Sequence, residues 1–141
     1  MKLKWVLICV ISLLLVLPAS GQSNFDGFWL KFKTAVTRGD KAAVANMTKL
    51  PFSLGYDPSA KGGERFVKSR ASFLREYKYI FNNEVDAVKC FASALPEKEQ
   101  TGYFVACSFK SEADDREKPF IYSFKHTKQG WKFTVFENIN E

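Results

Sequence analysis

The sequence predicts an α+β fold, with helices first and an antiparallel sheet after them. Three observations carry this. Apolar residues recur at spacings of three and four between Phe25 and Phe81, the period of a helix with one buried face. From Glu84 onward the period changes to two, as in strands with one face in the core. The helical part carries cap residues and the strand part carries turn residues, each where the change of direction needs them. Runs of helix followed by runs of strand form an α+β pattern, in which the helices cover one face of the sheet.

The first helix is read from "SNFDGFWLKFKTAVTRGD". Phe25, Phe28, Trp29, Phe32 and Val36 form its apolar stripe, while Lys31, Lys33 and Thr37 lie off it. Ser23 or Asn24 can cap its start, and Gly39 stands where a left-handed ending residue belongs. Asp40 then caps a shorter helix, "KAAVANMTKL", with Ala43, Val44 and Met47 facing inward and Pro51 ending it. "PFSLGYDPSAKGGER" begins with a short extended piece and continues as a loop. Ser69 opens the third helix, whose stripe is Phe73, Leu74, Tyr77, Ile80 and Phe81, and Asn82 and Asn83 stop it.

"EVDAVKCFASA" and "GYFVACSFKS" read as two strands joined by the polar loop "LPEKEQT". "FIYSFKHT" and "GWKFTVFENI" form a closing hairpin, with Lys128-Gln129 at its tip and Gly130 able to take a positive φ. The expectation is a curved four-stranded, or slightly larger, antiparallel sheet.

The chain ends and the composition bound the setting. Lys2 and Lys4 precede the uncharged run Trp5–Leu17, and Pro18 leads into Ala19-Ser20-Gly21. This is the order of an export signal with cleavage before Gln22. The run has thirteen residues, short of the roughly 18 or more that a spanning helix needs, so no stable membrane anchor is expected after cleavage. Residues 22–141 then form one domain, exported to the periplasm or secreted. Without Lys2 and Lys4 the basic residues fall from 21 to 19 against 15 acidic ones. That mild, scattered excess does not mark a nucleic-acid partner.

Cys90 and Cys107 are the cysteines left in the mature chain, an even pair in an oxidising compartment. A bridge would close a loop of about 17 residues and add roughly 3 kcal/mol by restricting the unfolded chain. If the two strands pair, the cysteines can face each other; the alternative is two buried thiols. One histidine and a bridged pair leave no soft-metal site. Glu112, Asp114, Asp115 and Glu117 crowd one loop but lack the order of a calcium loop, and no cofactor motif is present.

The stretches "FWLKFKTAVTRGDKAAVANMTKLPF", "FLREYKYIF" and the closing "GWKFTVF" resemble exported bacterial members of the nuclear transport factor 2-like superfamily, also called cystatin-like α+β folds. The resemblance covers nearly the whole mature chain. It implies a strongly curved sheet wrapped around the helices, leaving a conical cavity. Members include ketosteroid isomerase, scytalone dehydratase, transport adaptors and many proteins of no known activity, so the fold does not settle function.

Pairing across the Lys128-Gln129 turn sets His126 against Trp131, Phe124 against Phe133, Tyr122 against Val135 and Phe120 against Glu137. Those eight would share the helix-facing side, with Ile121, Ser123, Lys125, Lys132, Thr134 and Phe136 on the other. The candidate pocket lining is therefore Tyr77, Tyr122, His126, Trp131 and Glu137. Three functions follow. One is a non-catalytic binding domain of the bacterial envelope, taking a small molecule or a protein partner in the cone or on a sheet face. Another is an acid-base isomerase or dehydratase working through Tyr122, Tyr77 and Glu137 or His126. The last is a structural domain that dimerises through the sheet. A cone filled by Phe28, Phe32, Phe73 and Phe124 is incompatible with the second.

Overall fold

The computed structural model describes residues 24–82 and 86–139; the expected export signal, residues 1–21, lies outside them. Ten elements follow in order. Helix α1 is Phe25–Thr37 and α2 is Lys41–Asn46. Strands β1, Thr48–Tyr56, and β2, Glu64–Val67, come next. Helix α3 is Arg70–Phe81 and α4 is Ala87–Ser93. Strands β3, Glu97–Glu99, β4, Gly102–Lys110, β5, Glu117–Thr127, and β6, Gly130–Asn138, complete the chain.

The caps act as the sequence implies. Asn24 accepts from the Gly27 amide, Asp40 from Ala43 and Ser69 from Ser72. Each satisfies an amide that the first turn of a helix leaves without a partner. Gly39 has φ +68°, a conformation that costs a side chain with a Cβ. It turns the chain from α1 into α2.

The sheet falls on the larger side of the expected four strands or slightly more, and it is mixed rather than wholly antiparallel. Its six strands run in the order β2-β1-β6-β5-β4-β3. The pair β1 and β6 is parallel; the remaining neighbours are antiparallel. Four segments depart from the sequence reading, two of them loops that hold short strands: β2 begins at Glu64, and β3 lies within the stretch from Leu95 to Thr101. The helix expected over "KAAVANMTKL" stops at Asn46, and Thr48 begins β1. "EVDAVKCFASA" is not a strand; it holds α4, capped by Asp86, whose carboxylate accepts from the Lys89 amide. Ala87 and Phe91 lie one helical turn apart and are both fully buried.

The core lies between the helices and one face of the sheet. Phe32, Phe73, Phe81 and Phe91 meet Phe52, Tyr122, Phe124 and Phe133, and each is at most 1% exposed. Their rings form a continuous set of edge-on and tilted contacts, such as Phe32–Phe124 at 5.0 Å and Phe52–Phe133 at 4.6 Å. Such pairs add to the burial energy of the rings themselves. A disulfide joins Cys90 to Cys107, with Cα atoms 5.8 Å apart. It ties α4 to β4, rather than one strand to another.

Candidate functional site

The β5–β6 hairpin decides where the candidate residues point. Near its turn the pairs are those expected: His126 faces Trp131 and Phe124 faces Phe133. Between Ser123 and Phe124 the register shifts, because β6 carries one extra residue at Thr134–Val135. A bulge of this kind turns every later side chain to the opposite face. Tyr122 therefore faces Phe136, and Ile121 faces Glu137. Phe136 is fully buried and belongs to the core, while Val135 and Glu137 belong to the outer face. This corrects the straight register read from the sequence.

The five candidates do not form one lining. Tyr122 is buried, and its hydroxyl donates to the Ile80 carbonyl at 2.7 Å. Tyr77 is also buried, on α3, and its hydroxyl has no hydrogen-bond partner among the described residues. Burial raises the pKa of both phenols above the usual value, because it disfavours the phenolate. Tyr77 is pushed up to about 12, with the Asp40 charge as the second cause. Burial alone pushes Tyr122 up. Neither phenol is poised to lose a proton near neutrality. Glu137 is exposed on the outer face. His126 is exposed at the hairpin end with its ring edge-on to Trp131, 5.4 Å between centroids. Trp131 in turn packs on Phe25 and Tyr103. It covers the aromatic core at the end nearest the β5–β6 turn.

The feature that sequence reasoning missed is on the outer face. There an open depression of about 980 Å³ lies between β1 and the β5–β6 turn. From Thr48 to Ser53, β1 advances five residues while β6 advances only two, from Phe133 to Val135. The surplus residues Lys49, Leu50 and Pro51 leave the ladder and form one wall. The opposite wall comes from Lys125 to Gln129, and the floor from Thr134 and Val135. Lys49, Lys125, Lys128, Lys132 and His126 line it, and no carboxylate does. Ser53, also in the lining, donates to Glu64 on β2 at 2.6 Å. Lys132 donates to the Asn46 carbonyl at 2.9 Å. The pairing of Lys125 with Lys132 could have been read from the hairpin register, but the bulged β1 wall had no signal.

The remaining charged loop is self-paired. Asp115 meets Lys110 at 2.7 Å and Asp114 meets Arg116 at 3.3 Å. Among the described residues no group of His, Cys, Asp and Glu side chains is placed to hold a metal ion.

No protein family profile matches this chain, and no curated protein does. Many of the solved structures similar to it are nuclear transport factor 2-like proteins. One is an NTF2-like protein of unknown function from Shewanella oneidensis MR-1, 13% identical over 80% of this chain and 93% of that one, with a TM-score of 0.44. A DUF4783 family protein from Bacteroides ovatus is 14% identical, with coverages of 79% and 94% and a TM-score of 0.46. A ketosteroid isomerase-like protein from Erwinia carotovora atroseptica is 13% identical, with coverages of 82% and 94% and a TM-score of 0.42. Nothing about the site is carried over from them.

Proposed function

We propose that this chain is an exported, non-catalytic binding domain of the bacterial envelope, with its ligand or partner on the outer face of the sheet. The observation that carries this is the filled interior. Phe32, Phe73 and Phe124 are at most 1% exposed and Phe28 packs against them. These rings stand where a conical pocket would be. The phenols that acid-base chemistry would use are engaged in the core, away from Glu137 and His126. Export is supported by the signal-like first 21 residues and by the disulfide, which persists in oxidising compartments. No helix of the described residues is long and apolar enough to cross a membrane.

The test is native mass spectrometry of protein recovered from a bacterial periplasm, followed by amide shift mapping of any ligand found. Shifts at Thr127–Gln129 and Thr134–Val135 support this reading. Shifts confined to Phe91 and Tyr122 contradict it.

The dimeric alternative has one observation in its favour. Phe104 and Val135 both pair with Ser123 on the outer face, and Ile121 lies beside them, all half-buried. A monomer by light scattering at high concentration argues against that alternative.

A further inference from the structure

The depression between β1 and the β5–β6 turn has a charge pattern that the fold does not need. Lys125 and Lys132 are direct cross-strand partners, and like charges directly opposite one another destabilise a sheet. Lys49 and Lys128 add two more ammonium groups around the same hollow. None of the four takes part in an ion pair among the described residues, whose pairs are Arg65–Glu76, Lys110–Asp115 and Arg116–Asp114. No carboxylate among the described residues neutralises these charges, although Lys132 reaches the neutral Asn46 carbonyl, and the place is concave, where an anion would relieve the repulsion.

From this we infer that the depression binds a soluble phosphate ester carrying at least two negative charges. The inference rests on the outer face being the binding surface, and adds the ligand class. Two features favour that class. All the fixed cations are lysines, which meet an anion as point charges, and several of them around one hollow suit a group that carries more than one negative charge. Leu50, Pro51 and Val135 give it an apolar side, which suits the organic part of an ester.

Other polyanions fit less well. Single-stranded nucleic acid is held by stacking on aromatic rings, and no Phe, Tyr or Trp side chain lines the hollow. A bilayer surface would call for protruding apolar residues beside the basic patch. Of the exposed large apolar side chains only Leu50 is in the lining, and the more exposed Leu95, Tyr56 and Leu30 lie outside it.

The test is calorimetric titration of the disulfide-intact protein with inorganic pyrophosphate at low ionic strength. Three proteins are compared: the native chain, Lys125→Gln/Lys128→Gln, and a control, Lys31→Gln/Lys61→Gln, which loses the same charge elsewhere. Lys125 and Lys128 are exposed, so the fold survives their replacement, and circular dichroism checks this. The native chain and the control bind alike, and the lining variant binds at least about tenfold more weakly, the effect of one lost charge-assisted contact. Binding weakens as salt is raised, and pyrophosphate shifts the amides of Thr127–Gln129 and Thr134–Val135. Equal loss in both variants, or no binding by the native chain, overturns the inference. So does binding to vesicles containing anionic phospholipid without binding of pyrophosphate. An uncharged ligand mapping to the same amides overturns the phosphate assignment and leaves the outer-face reading standing. A ligand mapping to Phe91 and Tyr122 overturns both.

Discussion

The Tyr122 hydroxyl on β5 donates a 2.7 Å hydrogen bond to the Ile80 carbonyl, in the last turn of α3. Carbonyls at a helix end have no partner within the helix, so the strand supplies one. Both residues are fully buried, which leaves no water to replace the phenol. Tyr122→Phe keeps the ring packing and strands the carbonyl. It is expected to lower unfolding free energy by about 1–3 kcal/mol, measured by urea denaturation.

Tyr77 predicts the opposite sign. Its hydroxyl is buried without a partner, so it carries a desolvation cost with no bond in return. Tyr77→Phe is expected to be neutral or stabilising by up to about 2 kcal/mol. A loss of stability like that of Tyr122→Phe would show that the hydroxyl has a partner, such as a held water.

The same phenol fixes a pH dependence. Its folded value is raised from 10.0 to about 12, so the folded state holds the proton more tightly than the unfolded chain. The resulting stability is intact below pH 10 and is lost as pH rises from about 10 to 12. Comparing the native chain with Tyr77→Phe across that window isolates it from lysine titration, since the variant declines less steeply.

The disulfide predicts a plain loss. Cys90 and Cys107 are 17 positions apart, and opening a loop of that size costs roughly 3 kcal/mol. Cys90→Ala/Cys107→Ala is expected to lose about that amount in denaturant melts. Adding reductant to the native chain should reproduce the loss, and adding it to the variant should change nothing.

Gly102 marks a close approach of two strands. It pairs with Lys125, and a Cβ placed on it would run into the Phe124 carbonyl oxygen. A backbone neighbour cannot step aside as a side-chain tip can. Gly102→Ala is expected to cost about 1–3 kcal/mol, the range of overpacking. Amide shifts along β4 and β5 would report the displaced pairing.

The helical half of the fold was legible because single residues mark its ends. Asn24, Asp40 and Ser69 cap, Gly39 turns, and the stripe of Phe25, Trp29, Phe32 and Val36 keeps helical spacing. Only the second half of β1 was legible, as a short extended piece, and for a physical reason: the bulge leaves Lys49, Leu50 and Pro51 exposed in succession, which erases the period-two signal at its start. α4 was misread because "DAVKCFAS" satisfies both periods over so short a span, and only the tertiary contacts of Ala87 and Phe91 decide between them. In the site, Tyr122 and Trp131 were correctly set toward the helices. Glu137 and Phe136 were exchanged between faces by one extra residue in β6, which no local rule announces. The basic hollow needed the β1–β6 pairing, a contact between distant segments.

The central claim is that the curve of the sheet is closed by its own aromatic rings and that binding has moved to the other face. Diffraction from a crystal held under xenon pressure tests this most directly, since xenon enters apolar cavities that water leaves empty. The account predicts no xenon density within the shell of Phe32, Phe91, Tyr122 and Phe124. Xenon bounded by Tyr77 and Tyr122 would contradict it and return the interior to the list of binding sites.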